Sequence, residues 1–151
     1  MDSDFVNYFG DRRSGPQWKA FLHNLANELV NVGTDGELHA LAQRAGARFA
    51  EAHALPPCET LDDIGNAMRE AWAAVDWGWV DLFEHEDHLQ IVHHCSPLVA
   101  GFGEQHAGWA VGYLEGAYQH WFSAIDPQST LQVRADGALD PLGSVSLRLG
   151  A

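Results

Sequence analysis

Five residues in one short stretch carry metal-ligating chemistry: His85, His88, His93, His94 and Cys95. Neutral imidazole and thiolate are good zinc ligands, and a closed zinc site takes four of them. Residues 77–84 and 88–95 alternate in polarity and read as two paired strands around the turn His85-Glu86-Asp87. Successive side chains of a strand point to opposite faces, so His93 and His94 cannot easily serve one ion. His93 and Cys95 share a face but supply only two ligands. These histidines therefore read as satisfied or solvent-facing, and neither a metal nor another cofactor is expected.

Paired carboxylates are the next candidate chemistry, since glycoside hydrolysis needs two at a controlled separation. Glu84, Glu86 and Asp87 sit beside a tight turn, where acids are ordinarily solvated. Asp62 and Asp63 fall in the first turn of a helix, where they complement its dipole. Each placement has a local explanation. The chain has no Gly-x-Ser-x-Gly elbow, no glycine-rich phosphate loop and no Cys-x-x-Cys. Its two cysteines, Cys58 and Cys95, read as free, buried thiols. No catalytic residue is assigned, and the chain is expected not to be an enzyme.

A different constellation lies near the C-terminal third. Gly108, Gly112 and Gly116 recur every four residues within a helix expected over 108–125. A glycine inside a helix costs about 0.5–1 kcal/mol relative to alanine, and the usual compensation is close approach of another backbone. That backbone belongs either to this chain's own sheet or to a second copy. Trp109, Tyr113 and His120 flank the row with the large amphipathic groups that interfaces favour. Gly108, Trp109, Gly112, Tyr113, Gly116 and His120 are thus the candidate oligomer contacts. Glu115 lies beside the same helix's apolar stripe and needs a hydrogen-bond donor there, such as an indole or backbone N–H.

The elements that position these groups follow from periodicity. After Pro16, Trp18, Phe21, Leu22, Leu25, Leu29 and Val32 recur at helical spacing and form one stripe of an amphipathic helix. Thr34 with Glu37 begins a second helix, with Leu38, Leu41, Ala45 and Phe49 inward. Thr60 with Asp63 begins a third, with Leu61, Ile64, Met68, Ala71, Trp72 and Val75 inward. The hairpin comes next, then a loop over 101–103, the glycine-bearing helix and a second hairpin from 130–135 and 144–149. Val145, Leu147 and Leu149 should face the core. The result is an α+β fold: three N-terminal helices, a β-hairpin, a long helix and a second hairpin completing an antiparallel sheet. Residues 1–16 read as a flexible N-terminal arm, and 17–151 as a single oligomerisation domain.

Size and charge bound the function. The 151 residues can bury roughly 70% of the unfolded surface, and 46% apolar content with six Trp, seven Phe and three Tyr supplies the core. The net charge of −13, with a single lysine, disfavours nucleic acid and anionic membrane surfaces. The acidic start Met1-Asp2-Ser3-Asp4 lacks the basic flank and apolar run of an export signal, which points to the cytoplasm. No run of about 20 apolar residues suggests membrane insertion.

Several short motifs in order resemble the family of the bacterial cellulose synthase operon protein D, the D subunit of cellulose synthase. They are Leu55-Pro56-Pro57-Cys58, Asp76-Trp77-Gly78-Trp79-Val80, Ile91-Val92-His93, and Leu114-Glu115-Gly116-Ala117-Tyr118 followed by Trp121. The resemblance spans about residues 20–150. It implies a non-catalytic accessory subunit that assembles into a ring-like homo-octamer, a tetramer of dimers. Such a ring organises glucan chain extrusion and cellulose crystallisation, near the inner membrane. Implied partners are the other cellulose synthase subunits, glucan chains and a proline-rich protein. The stretch before the first helix is longer than the family pattern, and the polar tail after the last strand is missing. Glucan contacts therefore do not carry over residue by residue. Phe5, Tyr8 and Phe9 are candidate groups to stack on sugar rings. The competing reading is a small-molecule sensor domain that dimerises around an apolar pocket.

Overall fold

Thr34 and Thr60 start two helices by the same local device. Each hydroxyl accepts a backbone N–H three residues on, from Glu37 at 3.2 Å and Asp63 at 3.1 Å. Each of those carboxylates accepts the threonine N–H in return. The Glu59 N–H, then the Thr60 N–H and hydroxyl, hold the Asp63 carboxyl below its ordinary 3.8. That stabilisation is full above the ordinary value and is lost as pH falls through the lowered one.

The computed structural model describes residues 15–151. Helices α1 (Pro16–Leu29), α2 (Asp35–Ala52) and α3 (Leu61–Ala74) precede a hairpin of β1 (Trp79–Glu84) and β2 (Leu89–His94). Two short helices, α4 (Leu98–Phe102) and α5 (Ala107–Ala110), flank a 3-10 turn at Glu104–His106. The chain then runs through α6 (Gly112–Ile125), β3 (Gln132–Ala135) and β4 (Val145–Gly150). This is the expected α+β order. The strands form one antiparallel sheet, β1-β2-β4-β3, in which β4 joins the hairpins by pairing with both β2 and β3. Val80, Ile91, His93, Val133, Val145 and Leu147 point from the sheet into the core. Trp72, Tyr118 and Trp121, all but inaccessible, fill the space between sheet and helices, with Phe49 stacked on Trp72 at 4.6 Å.

Several expectations need correction. The apolar stripe of α1 is covered only in part: Leu22 and Leu29 are half-buried, whereas Trp18, Phe21 and Leu25 are exposed, and Val32, beyond the helix end, is 77% exposed. The reason is that α2 and α6 pack directly on each other, so α1 sits to the side against α4. It touches there through Leu22, beside Gly101, and the His23 Nε2–H donates to the Ala100 carbonyl at 3.2 Å. Residues 98–102 form helix α4, which takes up most of the expected loop. In α2 the inward stripe is Leu38, Ala42, Gly46 and Ala50, while Leu41 is 43% exposed. The expected helix over 108–125 is interrupted at Val111. Cys95 lies beyond the end of β2, with φ of 58°, so it does not continue the strand face of His93. Both cysteines are free, and both are half-buried.

Candidate functional site

The glycine row of α6 is the expected place for a partner, and α2 of the same chain occupies it. A Cβ on Gly116 would lie 1.9 Å from the Gln43 carbonyl oxygen; one on Gly112 would lie 2.6 Å from that of His39. The seam is reciprocal, because a Cβ on Gly46 of α2 would meet the Tyr113 carbonyl oxygen at 1.9 Å. The contacts advance together, His39 with Gly112, Gln43 with Gly116 and His53 with Trp121, so the two helices run the same way. The small-residue stripe Ala42-Gly46-Ala50 is the complement that admits this approach.

Glu115 ties that seam to the sheet. It is 5% exposed, and its Oε1 accepts from His39 Nε2 and, at 3.4 Å, from Gln43. Its Oε2 accepts the Ala135 N–H of β3 at 2.8 Å, the kind of backbone donor that its setting demanded. One turn on, Gln119 accepts the Val133 N–H at 2.7 Å and donates to the Leu131 carbonyl at 3.2 Å. Two side chains of α6 therefore replace a neighbouring strand along the outer edge of β3, which blunts it against pairing with other chains. Sequence reasoning missed Gln119, His39 and Gln43. The signal available was spacing: His39/Gln43 and Glu115/Gln119 are both i, i+4 polar pairs placed beside the small-residue or glycine stripe of their helix.

A second buried polar chain lies behind it. Trp72 Nε1–H donates to the Tyr118 hydroxyl at 2.9 Å, and that hydroxyl meets His93 Nδ1 at 2.6 Å. His93 Nε2 lies 2.7 Å from the Trp77 carbonyl oxygen. A carbonyl only accepts, so Nε2 carries a proton, and in the neutral imidazole Nδ1 then accepts and the Tyr118 O–H donates to it. Every member is satisfied in one direction. Burial, slightly offset by the Trp72 N–H, pushes the Tyr118 phenol well above its ordinary value, so the hydroxyl stays a donor. Gly78, beside Trp77, has φ of 83°, and a Cβ there would stand 1.8 Å from the His94 carbonyl oxygen.

The remaining histidines of the hairpin have individual partners. His94 Nε2 pairs with Asp81 at 3.1 Å, His85 with Gln90 at 2.9 Å, and His88 with Asp87 at 2.7 Å. The His88 contact is the main reason the Asp87 carboxyl is held below its ordinary range. Among the described residues, no three His, Cys, Asp or Glu side chains stand where they could hold a metal ion.

Of the six candidate oligomer contacts, Gly112 and Gly116 are covered by α2. Trp109 is buried, its Nε1–H donating to His106 Nδ1 at 3.2 Å. Tyr113 is half-buried on Trp77, ring centroids 4.7 Å apart, and burial pushes its hydroxyl up to about 12. Gly108 lies in α5, exposed, outside the seam, and His120 is half-buried at the rim of the grooves beside α6. Gly112 and Gly116 thus line an internal seam, and Gly108 does not. Phe5, Tyr8 and Phe9 lie outside the described residues.

Residues from three separate stretches, Trp77, His93 and Tyr118, meet in one hydrogen-bonded hub, and Glu115 and Gly116 lock the neighbouring seam. The sequence as a whole, over residues 4–150, matches the family described as the D subunit of cellulose synthase. The chain belongs to the cellulose synthase D-subunit family. It is 30% identical over 112 residues to a protein of Komagataeibacter xylinus named cellulose synthase operon protein D, covering 72% of this chain and 71% of that one. In this member of the D-subunit family, the Leu114–Tyr118 motif acts as a fastener. Leu114 and Ala117 fill the core, Glu115 holds β3, Gly116 admits α2 and Tyr118 completes the hub.

Proposed function

We propose that this chain is a non-catalytic accessory subunit of a bacterial cellulose synthase complex. It assembles into a ring-like octamer, a tetramer of dimers, that organises glucan chain extrusion and cellulose crystallisation. The observation that carries the reading is the family match across residues 4–150. An accessory role is supported by the use of its buried polar groups: Glu115, His93 and His106 all bond to other elements of the fold. Self-assembly is supported by α1, whose outer face leaves Trp18 61% and Phe21 54% exposed. Clustered apolar groups on a chain of charge −13 are typical of a surface covered in use. Among the described residues no helix is long and apolar enough to cross a membrane. The proposed place is the cytoplasm near the inner membrane, with other synthase subunits, a proline-rich protein and glucan chains as partners. Phe5, Tyr8 and Phe9 are the proposed sugar-stacking groups.

Removing this chain from its cellulose-secreting host is expected to leave glucose incorporation near normal and to lower the crystalline fraction of the fibre, measured by X-ray diffraction. Unchanged crystallinity contradicts the reading. So does loss of incorporation itself, which would point to a part in polymerisation.

A further inference from the structure

The outward face of α2 carries four exposed residues in one stripe: Glu37, Leu41, Arg44 and Arg48. Their spacings of four, three and four keep them on the helix side away from the Ala42-Gly46-Ala50 seam. Leu41, 43% exposed, stands near the middle, with exposed Ala45 beside it. The charges are segregated. The first turn holds Asp35 and Glu37, and the later turns hold Arg44 and Arg48. Among the described residues, neither arginine has a carboxylate partner, whereas Arg69 and Arg148 are paired with Asp81 and Asp87.

We infer that this face of α2 is a two-fold contact with α2 of a second copy of the chain, antiparallel and centred on Leu41. In such a pair, the residue four before the axis meets the position four after it on the other copy. Glu37 therefore comes opposite Ala45 of the second copy, with Arg44 one residue away and within reach of its carboxylate, and by symmetry Arg44 reaches the second copy's Glu37. Seven positions out, Arg48 faces the acidic first turn with Asp35. Leu41 packs on its own counterpart, and Ala45 allows close approach. A parallel arrangement would set like charges against each other, so the charge order selects the antiparallel one. A second copy is the fitting occupant because the stripe carries its own complement, an acidic first turn and two arginines in the later turns, which lets identical strongly acidic chains meet with opposite charges paired. The inference rests on the proposed self-assembly and names one of its contacts, the one that builds the dimer.

Charge reversal on the full chain tests it, with association read by sedimentation and native mass spectrometry and folding by circular dichroism. Arg44→Glu is expected to weaken dimer formation about tenfold or more. Glu37→Gln, which keeps an N3 acceptor for the capping box, should weaken it in the same direction. The double variant Glu37→Arg/Arg44→Glu restores both pairs with their signs exchanged, and its dimer should return to within about threefold of the parent. A parent chain that assembles, with single variants that assemble as well, overturns this contact and leaves the assembly reading standing. Weak singles with no recovery in the folded double variant also overturn it. A parent chain that stays single at all concentrations overturns both.

Discussion

Gly116→Ala is expected to cost the fold about 3 kcal/mol or more, read as a lower urea midpoint at unchanged slope. The added methyl would lie 1.9 Å from the Gln43 carbonyl oxygen, 2.6 Å from its carbon and 2.8 Å from its Cα. All three are backbone atoms in the middle of α2, so no side chain can rotate away. The helices must separate, and separation strains the bonds that Glu115 makes to His39 and Ala135. Alanine's better helix propensity returns only about 1 kcal/mol. Gly108→Ala is the internal contrast. Nothing lies within 4 Å of a Cβ there, so the change should be neutral or slightly stabilising. Equal midpoints for Gly116→Ala and the parent would contradict the internal seam.

Tyr118→Phe is the second large effect. The ring keeps its packing, but the lost hydroxyl takes away the acceptor of Trp72 Nε1–H and breaks the bond to His93 Nδ1, both in the core. Each such loss in the core costs about 1–3 kcal/mol, so a loss of about 2–4 kcal/mol is expected, also by urea unfolding. Trp72→Phe, which removes the indole donor but leaves the Tyr118–His93 bond, should disturb the His93 tautomer less, as seen in imidazole nitrogen NMR shifts. A Tyr118→Phe variant as stable as the parent would show that the hub contributes nothing to holding α3, β2 and α6 together.

Much of this was legible in the sequence, for identifiable physical reasons. Thr34 with Glu37 and Thr60 with Asp63 are local devices, and both form the reciprocal caps that their spacing predicts. The alternation of Val145 and Leu147 marks the core face of β4, and the buried setting of Glu115 demanded a donor, which is the Ala135 N–H. What was not legible depends on which surfaces meet. An apolar stripe such as Trp18-Phe21-Leu25 says that a face is apolar, not what covers it. The spacing of Gly112 and Gly116 announces a close approach without naming the visitor, although Ala42, Gly46 and Ala50 carried the matching signal on α2. Helix α4 is five residues between Pro97 and Gly103, too short for a 3.6-residue period to show. The convergence of Trp77, His93 and Tyr118 is long-range, and nothing local to any of the three foretells it.

The claim that this protein works as an assembled scaffold is tested most directly by the mass of the intact particle. Native mass spectrometry of the full chain, at micromolar concentration and physiological salt, should give eight times the 16.6 kDa chain mass, with dimers as the species that appear on dilution. A single-chain mass that persists up to the highest soluble concentration would contradict it.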